Sequence, residues 1–280
     1  MENHFRAFSF VDRITAVEPG VRIRGLYAIP SGLNEFPASL VAEAVGQLAA
    51  WSAMAAVNFE RRPVAGLAES IELLAPVRPG QVLELAAELE SVDREAVDYS
   101  GTAHADGNPV IRLQHCVGPM VAVQEFDCPE KLRERFGVLC GTGAVPGGFG
   151  GVPALALEPT TGEAGQCARA MLRLPASAPF FADHFPRRPV FPGSLLMHMN
   201  LQLSAVLAGQ LPRPGQGGHW AIRGVSNMKL RAFIPPGESL AIQANLDCWS
   251  DLSAVIAVET RLANRVVGGA RVRLAPEGQP

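Results

Sequence analysis

The chain has 280 residues, an apolar fraction of 48% and a formal net charge of −3. That length suits one large domain or two small ones, and an apolar fraction that high excludes a disordered chain. The near-neutral charge lacks the basic stripe of a nucleic-acid binder, so no nucleic-acid partner is expected.

Met1 to Phe10 is polar and carries no apolar stretch of signal-peptide type. Gly20 to Pro30, "GVRIRGLYAIP", alternates like a half-buried strand that ends at proline. An apolar helix is predicted from about Ala38 to Asn58, after the Phe36-Pro37 pair. Strands follow on either side of Pro79-Gly80 and again over Pro109 to Val123. The segment 126–163 contains "GTGAVPGGFGGVPALALEPTTGE" and reads as a loop-like linker. Beyond it, "GQCARAMLRLP" (Gly165 to Pro175) reads as a strand, and Gly193 to Leu211 as a second apolar helix. Strands then flank Pro236-Gly237 and continue over Leu252 to Ala263 and Arg265 to Leu274. The two Pro-Gly turns read as hairpin punctuation. The five cysteines are widely spaced, odd in number and without a CxxC pair, so neither a disulfide framework nor a metal site is expected. No apolar run reaches the ~20 residues of a membrane span, and a soluble, cytoplasmic protein is the expectation.

The order is the same twice. "FPASLVAEAVGQL" (Phe36 to Leu48) aligns with "FPGSLLMHMNLQL" (Phe191 to Leu203) at an offset of 155 residues. "LLAPVRPGQVLELAAEL" (Leu73 to Leu89) aligns with "LRAFIPPGESLAIQANL" (Leu230 to Leu246) at an offset of 157. A buried helix with strands before and after it points to an α+β fold, an antiparallel sheet wrapped around each helix. Residues 1–125 form one copy and 164–280 the other, like a dimer fused into one chain. A pseudo-dimeric monomer and a further homodimer both stay open.

The copies differ at one place. Copy one passes from Pro30 to Pro37 in seven residues, copy two from Pro175 to Pro192 in seventeen. The insertion is essentially "FFADHFPRRPVFPG", with His184 inside it. On the helices the aligned position is Glu43 in copy one and His198 in copy two. A carboxyl group buried on an apolar helix tends toward a raised pKa and can serve as a general acid. If the copies pack about a pseudo-twofold axis, His184 and Glu43 meet at the seam and form one site. The helix start at Gly193 and Ser194 offers free N–H groups and a positive dipole end for a carbonyl oxygen.

"FSFVDRI" (Phe8 to Ile14), "EAVGQ" (Glu43 to Gln47), "FFADHFPRRPVFPGSLL" (Phe180 to Leu196) and "MKLRAFIPPGESL" (Met228 to Leu240) resemble the hot-dog-fold 3-hydroxyacyl-acyl-carrier-protein dehydratases. In that family a helix acid follows the histidine by fourteen residues, and a glutamine follows the acid by four. Here His198 stands at the acid's place while Gln202 fits; in copy one Glu43 and Gln47 both fit. The resemblance implies a double hot dog with one surviving site. His184 would be the base, Glu43 the acid, and Gly193 and Ser194 the carbonyl-binding amides. Phe185, Pro192, Gln47 and Gln202 would line that site. It implies a (3R)-hydroxyacyl thioester on the phosphopantetheine of an acyl carrier protein, with no metal or other cofactor. Arg187 and Arg188 would meet the acidic carrier, or would simply be a solvated loop. His198 reads as a satisfied buried histidine or a remnant of the lost site; His4, His104, His115 and His219 read as structural or surface. A hot-dog thioesterase and a non-catalytic partner of another dehydratase remain the alternatives.

Overall fold

The computed structural model describes residues 5–152, 154–214 and 218–278; His4 lies outside them. In chain order the elements are β1 (Arg13–Glu18), β2 (Arg22–Ala28), α1 (Ala38–Ala56), β3 (Arg61–Pro63), β4 (Leu67–Leu73), β5 (Val82–Val92), β6 (Ala96–Ala105), β7 (Asn108–Ala122), α2 (Val123–Phe126) and α3 (Pro129–Cys140). Then come β8 (Leu157–Pro159), β9 (Cys167–Arg173), a 3-10 turn (Pro179–Ala182), α4 (Gly193–Ala208), β10 (Trp220–Leu230), β11 (Ser239–Trp249), β12 (Ala254–Leu262) and β13 (Arg265–Pro276).

The alternation seen in the sequence is the alternation of burial. Along β2, Ile23 and Tyr27 point into the core while Arg22 and Arg24 face out. The helices are buried on most sides because they are apolar on most sides: α1 buries Leu40, Val41, Val45, Leu48 and Met54, and α4 buries Leu195, Leu196, Met199, Leu203 and Leu207. Both end slightly earlier than expected. After α1, Asn58 and Phe59 take positive φ values of 51° and 56°, which turns the chain out of the helix. Gly101 on β6 sets how closely α1 lies on its sheet. A Cβ there would stand 2.5 Å from Val45 Cγ1 and 2.8 Å from the Ala86 carbonyl oxygen.

From the middle outward, one half runs β4-β7-β6-β5-β2-β1 and the other β10-β13-β12-β11-β9-β8. The strand order is thus the same in both halves, as an internal repeat requires. The sheets of the two halves are not separate. β4 and β10 pair antiparallel, with Ile71 opposite Val225 and Ser70 opposite Ser226, and so merge them into one 13-stranded sheet. Each half curls around its own helix, and α1 and α4 touch across the seam.

Two readings of loops need correction. The Pro-Gly turns are not hairpins: β4 and β5 are separated in the sheet by β7 and β6, and β10 and β11 by β13 and β12. Gly80 and Gly237 have φ of 89° and 79°, so these are glycine turns at the end of a crossover, just before β5 and β11. The segment between the copies is also more than a linker. It begins at the last residue of α2 and holds α3 and β8. In α3, Leu132, Phe136 and Leu139 recur at helical spacing, and Pro129 opens the helix. Phe136 stacks on Trp51 and meets Phe59. Even the glycine-rich stretch sends Phe149 into the core against Phe8, Phe10 and Phe36.

Candidate active site

The ten extra residues of copy two form a compact loop ahead of α4. The 3-10 turn brings the His184 amide to the Phe180 carbonyl at 2.9 Å, and the His184 carbonyl accepts from Val190 N–H at 3.0 Å. Phe180, Phe185, Val190 and Phe191 are buried beneath it. The His184–Phe185 peptide bond is cis. The imidazole Nδ1 lies 2.9 Å from the Val190 carbonyl oxygen. A carbonyl only accepts, so Nδ1 carries the proton and Nε2 keeps its lone pair. The ring stacks on Phe185 at 4.3 Å between centroids and takes the edge of Phe8 at 5.9 Å.

His184 and Glu43 line the same cavity, of about 230 Å³, at the seam of the two halves. Burial pushes the His184 pKa below the ordinary imidazole value. The Glu43 charge and the Val190 carbonyl oppose that shift, and Arg62 adds to it. Glu43 is half-buried rather than fully enclosed, because its side of α1 opens on the cavity. Gln47, one turn on, donates to Glu43 Oε1 at 2.9 Å. It also accepts from Phe10 N–H at 2.8 Å and donates to the Phe8 carbonyl at 3.0 Å. From the other half, Asp183 accepts from the Phe8 amide at 2.6 Å and from the Phe5 amide. The N-terminal "FSF" segment is therefore tied down by both copies. Asp12, in "VDRI", accepts from Ala28 N–H at 2.7 Å and fastens β2.

Gly193 and Ser194 open α4 at the cavity wall, where the first amides of a helix have no partner of their own. A Cβ on Gly193 would lie 2.3 Å from Leu230 Cδ1, so the helix start fits only a glycine without rearrangement. The Ser194 hydroxyl is buried without a hydrogen-bond partner, and so is that of its repeat mate Ser39.

The structure brings His184, Phe185, Glu43, Gln47, Gly193 and Ser194 to one cavity. Pro192 and Gln202 do not line it. Pro192 is buried at the N-cap of α4, its carbonyl taken up by the amides of Leu195 and Leu196. Gln202 sits one turn from His198 and its Nε2 donates to His198 Nε2 at 3.0 Å, away from the seam site. Burial lowers the His198 pKa, opposed by Glu35. Arg187 and Arg188 are exposed; Arg187 donates to the Gln124 carbonyl and Arg188 lies over Phe126 and Phe233. Among the lining groups that escaped sequence reasoning are Tyr99, Arg62 and Asp127. Each lies on a strand or in the segment between the copies, outside any spaced motif, so only the fold reveals them. Among the described residues no group of three or more His, Cys, Asp or Glu side chains could hold a metal ion.

A repeat of one helix wrapped by an antiparallel sheet, with a seam cavity between the copies, defines a double hot-dog protein. Two solved structures share that fold along nearly the whole chain. One is a protein assigned as an oleoyl thioesterase from Lactobacillus plantarum: TM-score 0.59, 8% identity, 93% of this chain and 98% of that one. The other is the tesB protein of Mycobacterium avium subs paratuberculosis: TM-score 0.58, 14% identity, 95% and 96%. At such identities they show the fold alone. Sequence narrows the class further. Residues 160–258 match the ApeI-like family, described as ApeI dehydratase. The 3-hydroxyacyl-[acyl-carrier-protein] dehydratase FabZ of Rickettsia felis is 31% identical over 90 residues, 30% of this chain and 61% of that protein. That of Tolumonas auensis is 34% identical over 77 residues, 26% and 50%. The chain thus spans between half and about three fifths of these relatives. The resemblance to hot-dog dehydratases read from the His184 loop is borne out.

Proposed function

We propose that the protein is a 3-hydroxyacyl thioester dehydratase with a single site at the seam. One observation carries this reading: His184 of copy two and Glu43 of copy one, each lacking its partner within its own copy, line the same cavity. His184 Nε2 takes a proton from C2 of a (3R)-hydroxyacyl thioester. The electron pair of that C–H bond becomes the C2=C3 double bond. The C3–O bond breaks, and Glu43 supplies the proton with which the hydroxyl leaves as water. The Gly193 and Ser194 amides polarise the thioester carbonyl as charge builds on it. His184 ends protonated and Glu43 ionised, and a net proton return to Glu43 resets the site. An elimination of this kind needs an acid and a base but no change of oxidation state, so the reading calls for no metal or nucleotide. Phe185, Val64, Leu196 and Met197 offer an apolar lining to the acyl chain.

The relatives' names support an acyl carrier protein as the source of the substrate, and the exposed Arg187 and Arg188 suit its acidic surface. Among the described residues no helix is long and apolar enough to cross a membrane, and we place the reaction in the cytoplasm with other acyl-chain synthesis. The test is to incubate the protein with a 3-hydroxyacyl thioester and follow the products by mass spectrometry. A trans-2-enoyl thioester supports dehydration; release of free thiol points to a thioesterase; no product points to a non-catalytic partner.

A further inference from the structure

Arg62 lies on the short strand β3 of copy one, yet its side chain serves the loop of copy two. Its guanidinium carbon lies 4.0 Å from the centroid of Phe185, the ring on which His184 stacks. Its Nη1 is 3.2 Å from Asp127 Oδ2, with the two side chains only 15% and 3% exposed. Asp127 follows α2 and comes from the segment between the copies. Three parts of the chain therefore converge behind the histidine. The arrangement is expensive. Arg62 Nε is buried with no hydrogen-bond partner, and a buried ion pair commonly contributes less stability than well-packed apolar residues would. Burial lowers the Arg62 pKa to about 10, with Asp127 and then Glu43 opposing the shift, so the group keeps its charge at neutral pH. Such a costly charge beside a reacting centre points to function.

We propose that Arg62 is a positioning residue of the seam site: its guanidinium holds Phe185, and with it the His184 ring, and sets a fixed positive charge beside the base and the acid. The proposal rests on the reading of His184 as the base. The charged groups around the ring are Glu43 from α1 and Arg62 from β3, with Asp127 behind Arg62. Asp183, next in the loop, is engaged by the Phe5 and Phe8 amides. A positive charge near an imidazole favours its neutral form, the form that can accept a proton.

The experiment is an NMR titration of the histidine ring protons in the full chain. The His184 signal is assigned by its loss in His184→Asn, and His198 serves as internal reference. Two variants are compared. Arg62→Gln removes the charge but keeps a donor for Asp127; Arg62→Lys keeps the charge but loses the planar group over Phe185. The expected result is an upward shift of the His184 midpoint, on the order of one pH unit, in Arg62→Gln. In Arg62→Lys the midpoint should stay near wild type while kcat toward a 3-hydroxyacyl thioester falls about tenfold or more. The His198 midpoint should not move in either. An unchanged His184 midpoint in folded Arg62→Gln overturns the proposal. Should that variant not fold, Arg62→Lys decides alone, and wild-type kcat there overturns it. Because the titration needs no substrate, a protein without dehydratase activity would sink the functional reading and still leave the role of Arg62 measurable.

Discussion

Replacing Gln47 with alanine should loosen the N-terminal "FSF" segment beside the site and the fold together. The amide group makes three hydrogen bonds: from Phe10 N–H at 2.8 Å, to the Phe8 carbonyl at 3.0 Å and to Glu43 Oε1 at 2.9 Å. At a net worth of about 1 kcal/mol each, their loss costs about 3 kcal/mol. Phe10 is fully buried, so its stranded amide adds to that figure rather than finding water. For a chain of this size class each kcal/mol lowers the melting temperature by roughly 2–4 °C, which gives a fall of roughly 6–12 °C. Near-UV circular dichroism on heating reports it, because Phe8 and Phe10 belong to the aromatic cluster that includes Tyr27, Phe36 and Phe149. Gln47→Glu is the finer probe. It keeps the acceptor for Phe10 N–H but removes both donors and sets a second carboxyl group beside Glu43. At neutral pH it should melt no higher than Gln47→Ala, because its carboxylate faces the Phe8 carbonyl and Glu43. A melting temperature for Gln47→Ala within about 2 °C of wild type would mean that the segment is held some other way.

Other consequences follow from the same geometry. On the proposed function, the rate of dehydration should fall on acidification only below the pH at which an ordinary imidazole protonates, since burial lowers the His184 pKa; a pH–rate profile reads this directly. The same shift fixes a stability trend. The unfolded chain binds protons on His184 and His198 before the folded one does, so stability is intact above about pH 6.5 and declines as pH falls below it toward the lowered values. Urea denaturation across that range should show the midpoint dropping with acid. Gly193→Ala should perturb the start of α4, and Leu230→Ala in the same chain should relieve it, because the added Cβ is directed at Leu230 Cδ1; paired melting curves compare the two. Brief treatment with a thiol reagent should label the exposed Cys140 and Cys248 and spare Cys116, which is buried with its pKa pushed up to about 12; peptide mass mapping distinguishes them.

The repeat was legible because both copies face one physical demand. A helix wrapped by a sheet must be apolar nearly all round, and each strand must alternate, so "FPASL" and "FPGSL" recur with their flanking strands. The departure between copies exposed His184 and Glu43, since a buried helix rarely carries a carboxylate without cause. What stayed hidden depends on long-range packing. Nothing in the spacing of "RRP" shows that Arg62 reaches Phe185, more than a hundred residues away. Gln202 matched the family's spacing, but its helix presents it to His198 rather than to the cavity. The glycine-rich composition of the middle segment masked α3, whose apolar face is short. Merging of the two sheets through β4 and β10 depends on edge pairing that carries no local signal.

The central claim is that one base and one acid, contributed by different copies, make a single site. The measurement that bears on it most directly is product analysis with a 3-hydroxyacyl thioester for the wild type, His184→Ala and Glu43→Gln. Each variant's fold is checked by circular dichroism. A trans-2-enoyl thioester from the wild type, with turnover reduced by about 10²–10⁴ in each folded variant, is the predicted result. Normal turnover in both variants, or a free thiol as the wild-type product, would contradict it.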